Sequence, residues 1–114
     1  MARRALPTLK KGAFSEVMAA GNKVHGPLVT LFWRESAERG VGIAVSRKVR
    51  TAVQRNRAKR RVRELLRRYE QQIPEGVQAV WLLQPEVAEI PFVRLVDEFE
   101  RTMEALRERI GDGS

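Results

Sequence analysis

Residues 51–71 set apolar side chains at helical spacing inside a stretch whose other positions are almost all cationic. At about 100° per residue, Ala58, Val62, Leu65, Leu66 and Tyr69 fall within one third of the helical circle. Asn56, Arg60, Arg63 and Arg67 share one flank, with Lys59 at its edge, and Arg57, Arg61 and Arg68 share the other. A helix of this kind can bury only its apolar stripe, so it must lie along a sheet with its charged sides outward. Thr51 suits the N-cap, and "IPEG" breaks the pattern after about residue 71. Arg55 is the exception, because its azimuth falls inside the stripe. Burying an unpaired guanidinium is costly. A sheet that stops short and leaves a cleft mouth, a carboxylate partner, or outward snorkelling would each relieve it. The crowd of Arg47, Lys48 and Arg50 just upstream favours the cleft mouth.

The rest of the chain supplies the sheet. A short helix is expected over residues 13–20, where Phe14, Val17 and Met18 share a face and Gly21 is a natural stop. A brief strand around 23–25, a strand in "GPLVTLFWRE" after Pro27 and another in "VGIAVS" follow, with "ESAERG" as a polar turn. "VQAVWLL" reads as an apolar strand and "QPEVAEIP" as a loop. Phe92, Leu95, Val96, Phe99, Met103, Leu106 and Ile110 then repeat at three and four, giving a last helix over roughly 92–109. The expected order is α-β-β-β-α-β-α, an α/β chain forming a small α+β sandwich with helices packed on a central sheet. With 114 residues and 43% hydrophobic content, the chain (1–114) suits one domain with one modest core. Its ends, about 1–8 and 111–114, are expected to be flexible.

Charge narrows the function. The formal net charge is +8, yet residues 47–68 alone hold 11 basic residues and one acidic residue, Glu64, for a local +10. The remainder carries −2. An ordinary solvated helix is laced with opposite charges at i±4, as in the last helix with Asp97, Glu98, Glu100, Arg101, Glu104, Arg107 and Glu108. The central run lacks this lacing. It repels itself until an anion supplies the counter-charge, which points to nucleic acid or polyphosphate. Arginine outnumbers lysine 17 to 5, suiting bidentate phosphate or guanine contacts without separating RNA from DNA.

Other chemistries find little support. Cysteine is absent, which removes disulfides, thiolate metal sites and Cys nucleophiles. His25, the one histidine, sits in a Gly-Pro turn, and no carboxylate cluster lies near the basic run. The basic start lacks an apolar signal core and no apolar run reaches membrane length, so a cytoplasmic location without membrane contact is expected. Phe32 and Trp33 are strand neighbours and point to opposite faces. Either both faces are covered, or one ring lies on an open face where a base could stack.

The stretch "GVGIAVSRKVRTAVQRNRAKRRVREL" resembles the signature of the bacterial ribonuclease P protein subunit family. That family carries R-N-R-x-K-R-x-x-R on a long helix behind a strand ending V-S-(K/R)-K. The match here runs through Arg55, Asn56, Arg57, Lys59, Arg60 and Arg63, with Val45, Ser46, Arg47 and Lys48 upstream. "LKKGAFSEVMAAGNKV" resembles the family's basic lead-in, short helix and Gly turn, so the resemblance covers nearly the whole chain.

The resemblance implies a protein cofactor of a ribozyme, in which the catalytic RNA subunit performs Mg²⁺-dependent endonucleolytic hydrolysis at the 5′ end of tRNA. Its implied partners are ribonuclease P RNA and precursor tRNA with its 5′ leader, with no obligate protein partner. It implies a left-handed β-α-β crossover around the basic helix, against the usual hand. Arg55, Asn56, Arg57, Lys59, Arg60 and Arg63 would face the RNA subunit. Phe14, Met18 and Phe32 would line a leader cleft between the sheet face and the basic helix, with Lys10 and Arg47 or Lys48 at its edges. No catalytic or metal-binding residue is implied in the protein. The family often has an aromatic residue where this chain has Met18. It usually has Gly where this chain has Arg50, so Arg50 is either strained or part of a rearranged connector with one more phosphate contact. Charge alone fits a structural RNA-binding protein of the ribosomal type equally well. It fits a DNA-binding regulator or a self-sufficient nuclease less well, given the wide apolar stripe and the missing acid or histidine cluster.

Overall fold

Seven regular elements form in the expected order in a computed structural model that describes residues 8–112, the last two by backbone alone. They are α1 (Lys11–Ala19), β1 (Lys23–His25), β2 (Val29–Glu35), β3 (Gly40–Val45), α2 (Ala52–Tyr69), β4 (Val77–Leu83) and α3 (Phe92–Asp112). The molecule is a small α+β domain with one four-stranded mixed sheet of order β1-β2-β4-β3. β1–β2 and β2–β4 pair antiparallel, whereas β3 and β4 pair parallel and are joined through α2. The expected flexible ends lie outside the described residues except for Thr8, which bridges Val41 on the outer edge of β3, and the final residues of α3.

Strand alternation gives the sheet two unlike faces. Val29, Leu31 and Trp33 of β2 stand in register with Leu83, Trp81 and Ala79 of β4, and all are buried. This face packs against Ala58, Val62, Leu65 and Leu66 of α2 and Leu95, Phe99, Met103 and Leu106 of α3. Trp81 stacks on Phe99 at 5.5 Å between centroids, with 17° between the rings. Each of these large side chains contributes about 1.5–3 kcal/mol through burial. The apolar stripe of α2 is therefore the part that docks, and its arginine flanks are left at the rim.

The opposite face is lighter. One row across the sheet reads Gly42, Val80, Phe32 and Lys23, and the next reads Ala44, Leu82, Thr30 and His25. α1 covers part of this face through the fully buried Val17 and is tied down by Glu16, whose Oε2 lies 2.7 Å from Arg34 Nη1. Gly42 makes that approach possible: a Cβ there would sit 2.8 Å from two ring carbons of Phe14. At the far edge of the sheet, buried Glu98 of α3 accepts the Leu28 N–H at 3.2 Å and holds the β1–β2 turn.

Candidate nucleic-acid interface

The helix that carries the basic run begins as its sequence demands. Thr51 has extended backbone, and its Oγ1 accepts the Gln54 N–H at 3.1 Å. The connector before it is a tight turn. Ser46 Oγ accepts the Lys48 N–H at 3.2 Å, the Val49 N–H donates to Ser46 O at 3.0 Å, and Val49 is buried. Anchoring Val49 leaves Arg47, Lys48 and Arg50 exposed around it. No non-glycine residue among those described has positive φ, so Arg50 is unstrained where the family usually places Gly, and the connector accommodates it.

Arg55 turns inward, as its azimuth requires, and is half-buried. Arg55 Nε donates to the carbonyl of Val49 at 3.2 Å, a backbone partner beside the alternatives weighed from the sequence. The contact clamps the turn onto the helix.

The two flanks of α2 have different fates. On one, Asn56, Arg60, Arg63 and Arg67 are exposed and Lys59 is partly so. On the other, Arg61 Nη1 donates to Val87 O at 2.7 Å, and the guanidinium groups of Arg61 and Arg68 lie 5.7 and 5.4 Å from the ring centre of Phe92. Burial, and after it the charge of Arg57, lowers the Arg61 pKa from its usual value. Arg61 thus packs the start of α3 against α2, a role its place in the basic run did not signal. Arg61→Ala is expected to destabilise the fold by about 1–3 kcal/mol, through the orphaned carbonyl and the lost ring contact. A thermal melt checks this, and an unchanged melting temperature would contradict it.

The ridge is not neutralised from within. Among the described residues, Glu64 is the one carboxylate that pairs with the run, at 3.6 Å from Arg67 and 3.5 Å from Arg68. Arg55, Asn56, Arg57, Lys59, Arg60 and Arg63 have no carboxylate partner among those residues.

The second group of expected site residues gathers on the lighter face. Phe14 lies over Gly42, Phe32 stands across Val80 in the same row, and Met18 is one helical turn beyond Phe14. All three are half-buried, and Lys10 is exposed at the start of α1. Phe32 is the strand aromatic on the open face, whereas Trp33 is core. α2 docks on the other face of the sheet. Its stripe needs the fully apolar surface of Leu31, Trp81 and Leu83, so its cations reach the Phe14 side only around the edge of β3. At that edge Phe14 of α1, Gly42 and Ile43 of β3, and Lys59 and Arg63 of α2 line one pocket.

Comparison with known proteins follows the same lines. A family model described as Ribonuclease P matches residues 4–107. The chain is 34% identical over 107 residues to the ribonuclease P protein component of Nitratiruptor sp., covering 93% of this chain and 97% of that one. It is 38% identical over 98 residues to the corresponding component of Thermus thermophilus, covering 86% of this chain and 58% of that longer one. The solved structure of the RNase P protein from Thermotoga maritima superposes with a TM-score of 0.76 at 24% identity, covering 86% of this chain and 96% of that chain.

Proposed function

The chain belongs to the ribonuclease P protein family, and from that premise we propose that it is the protein cofactor of a cytoplasmic ribozyme that matures the 5′ end of tRNA. The observation that carries the reading is the unpaired ridge of Arg57, Lys59, Arg60 and Arg63, solvent-facing on a helix whose other side is fixed in the core. Such a ridge meets the dense phosphates of a folded RNA at no cost in broken internal ion pairs. In this reading the ridge, with Arg55 and Asn56 at its start, faces the RNA subunit.

The 5′ leader of precursor tRNA is assigned to the lighter sheet face. A leader has no fixed sequence, so its binding rests on phosphate attraction and stacking. Phe14 and Phe32 offer ring surfaces, Met18 an adaptable apolar wall, and Lys10, Arg47 and Lys48 cations for the backbone. The side chains of the proposed RNA-subunit surface do not fit a Mg²⁺ site, since Mg²⁺ takes oxygen ligands in octahedral array and this surface presents guanidinium and ammonium groups. The reading assigns the ion to RNA phosphates and the hydrolysis to the RNA. What the protein contributes is retained substrate and lowered repulsion between RNA strands.

The test is reconstitution. A bacterial ribonuclease P RNA is assayed with precursor tRNA at a Mg²⁺ concentration too low for the RNA alone. Added protein is expected to restore 5′ processing, more strongly for a substrate with a leader of several nucleotides than for one with a single nucleotide. The protein without RNA should cleave nothing. Cleavage by the protein alone, or no restoration of processing, would overturn the proposal.

A further inference from the structure

We propose that Glu100, Glu104 and Glu108 of α3 fix the orientation in which the chain docks on RNA, by repelling phosphates from the surface beyond the C-terminal end of α2. The inference deepens the RNA-binding reading above and rests on it. A line of cations attracts any phosphate backbone and does not by itself choose where the RNA stops. Specificity needs unfavourable contacts in the wrong arrangement as well as favourable ones in the right arrangement.

The three carboxylates are all exposed and stand four residues apart, on the side of α3 away from its buried Leu95 and Leu106. Like charges at that spacing repel and weaken a helix. Arginines close to them in sequence could offset the repulsion, but the fold turns each one elsewhere. Arg101 Nη2 lies 3.1 Å from Asp97 Oδ2, Arg107 Nη1 donates to Gln72 Oε1 at 3.1 Å, and Arg109 Nη1 donates to Lys23 O at 2.9 Å. Glu100, Glu104 and Glu108 therefore have no cationic partner among the described residues. The mixed signs of this helix come down to one ion pair among those residues, Asp97 with Arg101.

The place of this line in the fold gives it an effect on RNA. α3 meets the end of α2, where the ring centres of Tyr69 and Phe99 are 5.7 Å apart, and Arg107 reaches Gln72 just past that end. The carboxylates thus continue where the ridge stops. The ridge itself fades in the same direction. Arg57, Lys59, Arg60 and Arg63 have no carboxylate partner among the described residues, whereas Arg67 and Arg68 share Glu64, and Glu70 follows. The C-terminus of α2 is also the negative pole of its dipole. Charge therefore falls from strongly positive at the start of α2 to negative along α3. Screening confines the repulsion to about 8 Å at physiological salt, so the carboxylates act on RNA that would run past the end of α2 and leave the contacts nearer its start alone.

The experiment has two arms, both on the full chain. Because the sequence has no cysteine, one introduced thiol can carry an iron chelate that cleaves nearby RNA. In the complex with ribonuclease P RNA, a chelate on Val53→Cys, at the exposed start of α2, should cut strongly, and one on Glu104→Cys should cut little. Adding Glu100→Lys and Glu108→Lys to the second chain should bring strong cuts there too. In the other arm, Glu100→Lys, Glu104→Lys and Glu108→Lys together should tighten binding to an unrelated RNA duplex about tenfold and steepen its salt slope by about two. Affinity for ribonuclease P RNA should change by no more than about twofold, so selectivity falls. The three substitutions are exposed and break no ion pair among the described residues. Equally strong cuts from both tethers in chains that keep Glu100 and Glu108, or a lysine variant that binds the unrelated duplex no more tightly than the wild type, would overturn the proposal. Either result in a chain that restores tRNA processing would sink the orientation device and leave the proposed function standing.

Discussion

Reversing Arg60 and Arg63 together to Glu is expected to weaken binding to ribonuclease P RNA by about a thousandfold without lowering the melting temperature. Both residues are exposed, and neither has a carboxylate partner among the described residues. Each charge-assisted contact with phosphate is worth about 1.5–3 kcal/mol. Losing two such contacts gives about 4 kcal/mol, or three decades in Kd. The folded state loses no contact, and repulsion along α2 falls, so stability should hold or rise. Arg94→Ala on α3, also exposed, is the control and should change affinity by no more than about twofold. Equal losses in the two variants would reduce the ridge to background charge.

Gly42→Val should act on the other face. A Cβ at this position meets the Phe14 ring at 2.8 Å, so the ring must move. Overpacking of this kind costs about 1–3 kcal/mol, or several degrees of melting temperature for a domain of this size. The functional loss should be selective. Affinity for precursor tRNA with a leader should fall about tenfold relative to mature tRNA, through one lost stacking surface, while binding to the RNA subunit holds. Competition between the two substrates in the reconstituted complex measures this. An unchanged preference would show that Phe14 does not contact the leader.

The contrast between these substitutions follows what could be read from the residues in order. The stripe of Ala58, Val62, Leu65 and Leu66 and the repeat of Leu95, Phe99, Met103 and Leu106 are local periodicities, and both became the buried sides of α2 and α3. The short β1 and the Thr51 cap were equally local. Boundaries shifted where fraying decides them: α1 starts two residues early at Lys11 and α3 runs to Asp112. Pro85–Ala88 folds into a 3₁₀ turn where a loop was expected. What stayed hidden was nonlocal. Strand order, and with it the face that receives α2, depends on pairings far apart in sequence. Arg55 was legible as inward-pointing, but its partner is a carbonyl, and carbonyls are invisible in residue identities. Arg61 looked like its neighbours in the run and differs only because Val87 and Phe92 come to meet it. Gly42, a glycine in mid-strand, was the available sign of close approach on the open face.

The central physical claim is that a ridge left without internal counter-ions draws its negative charge from RNA, and the salt dependence of binding measures it most directly. With about five phosphates neutralised, log Kobs for ribonuclease P RNA should fall against log[salt] with a slope of roughly −3.5 to −4.5. A slope near zero for the wild-type chain, or one left unchanged by reversing Arg60 and Arg63, would contradict the account.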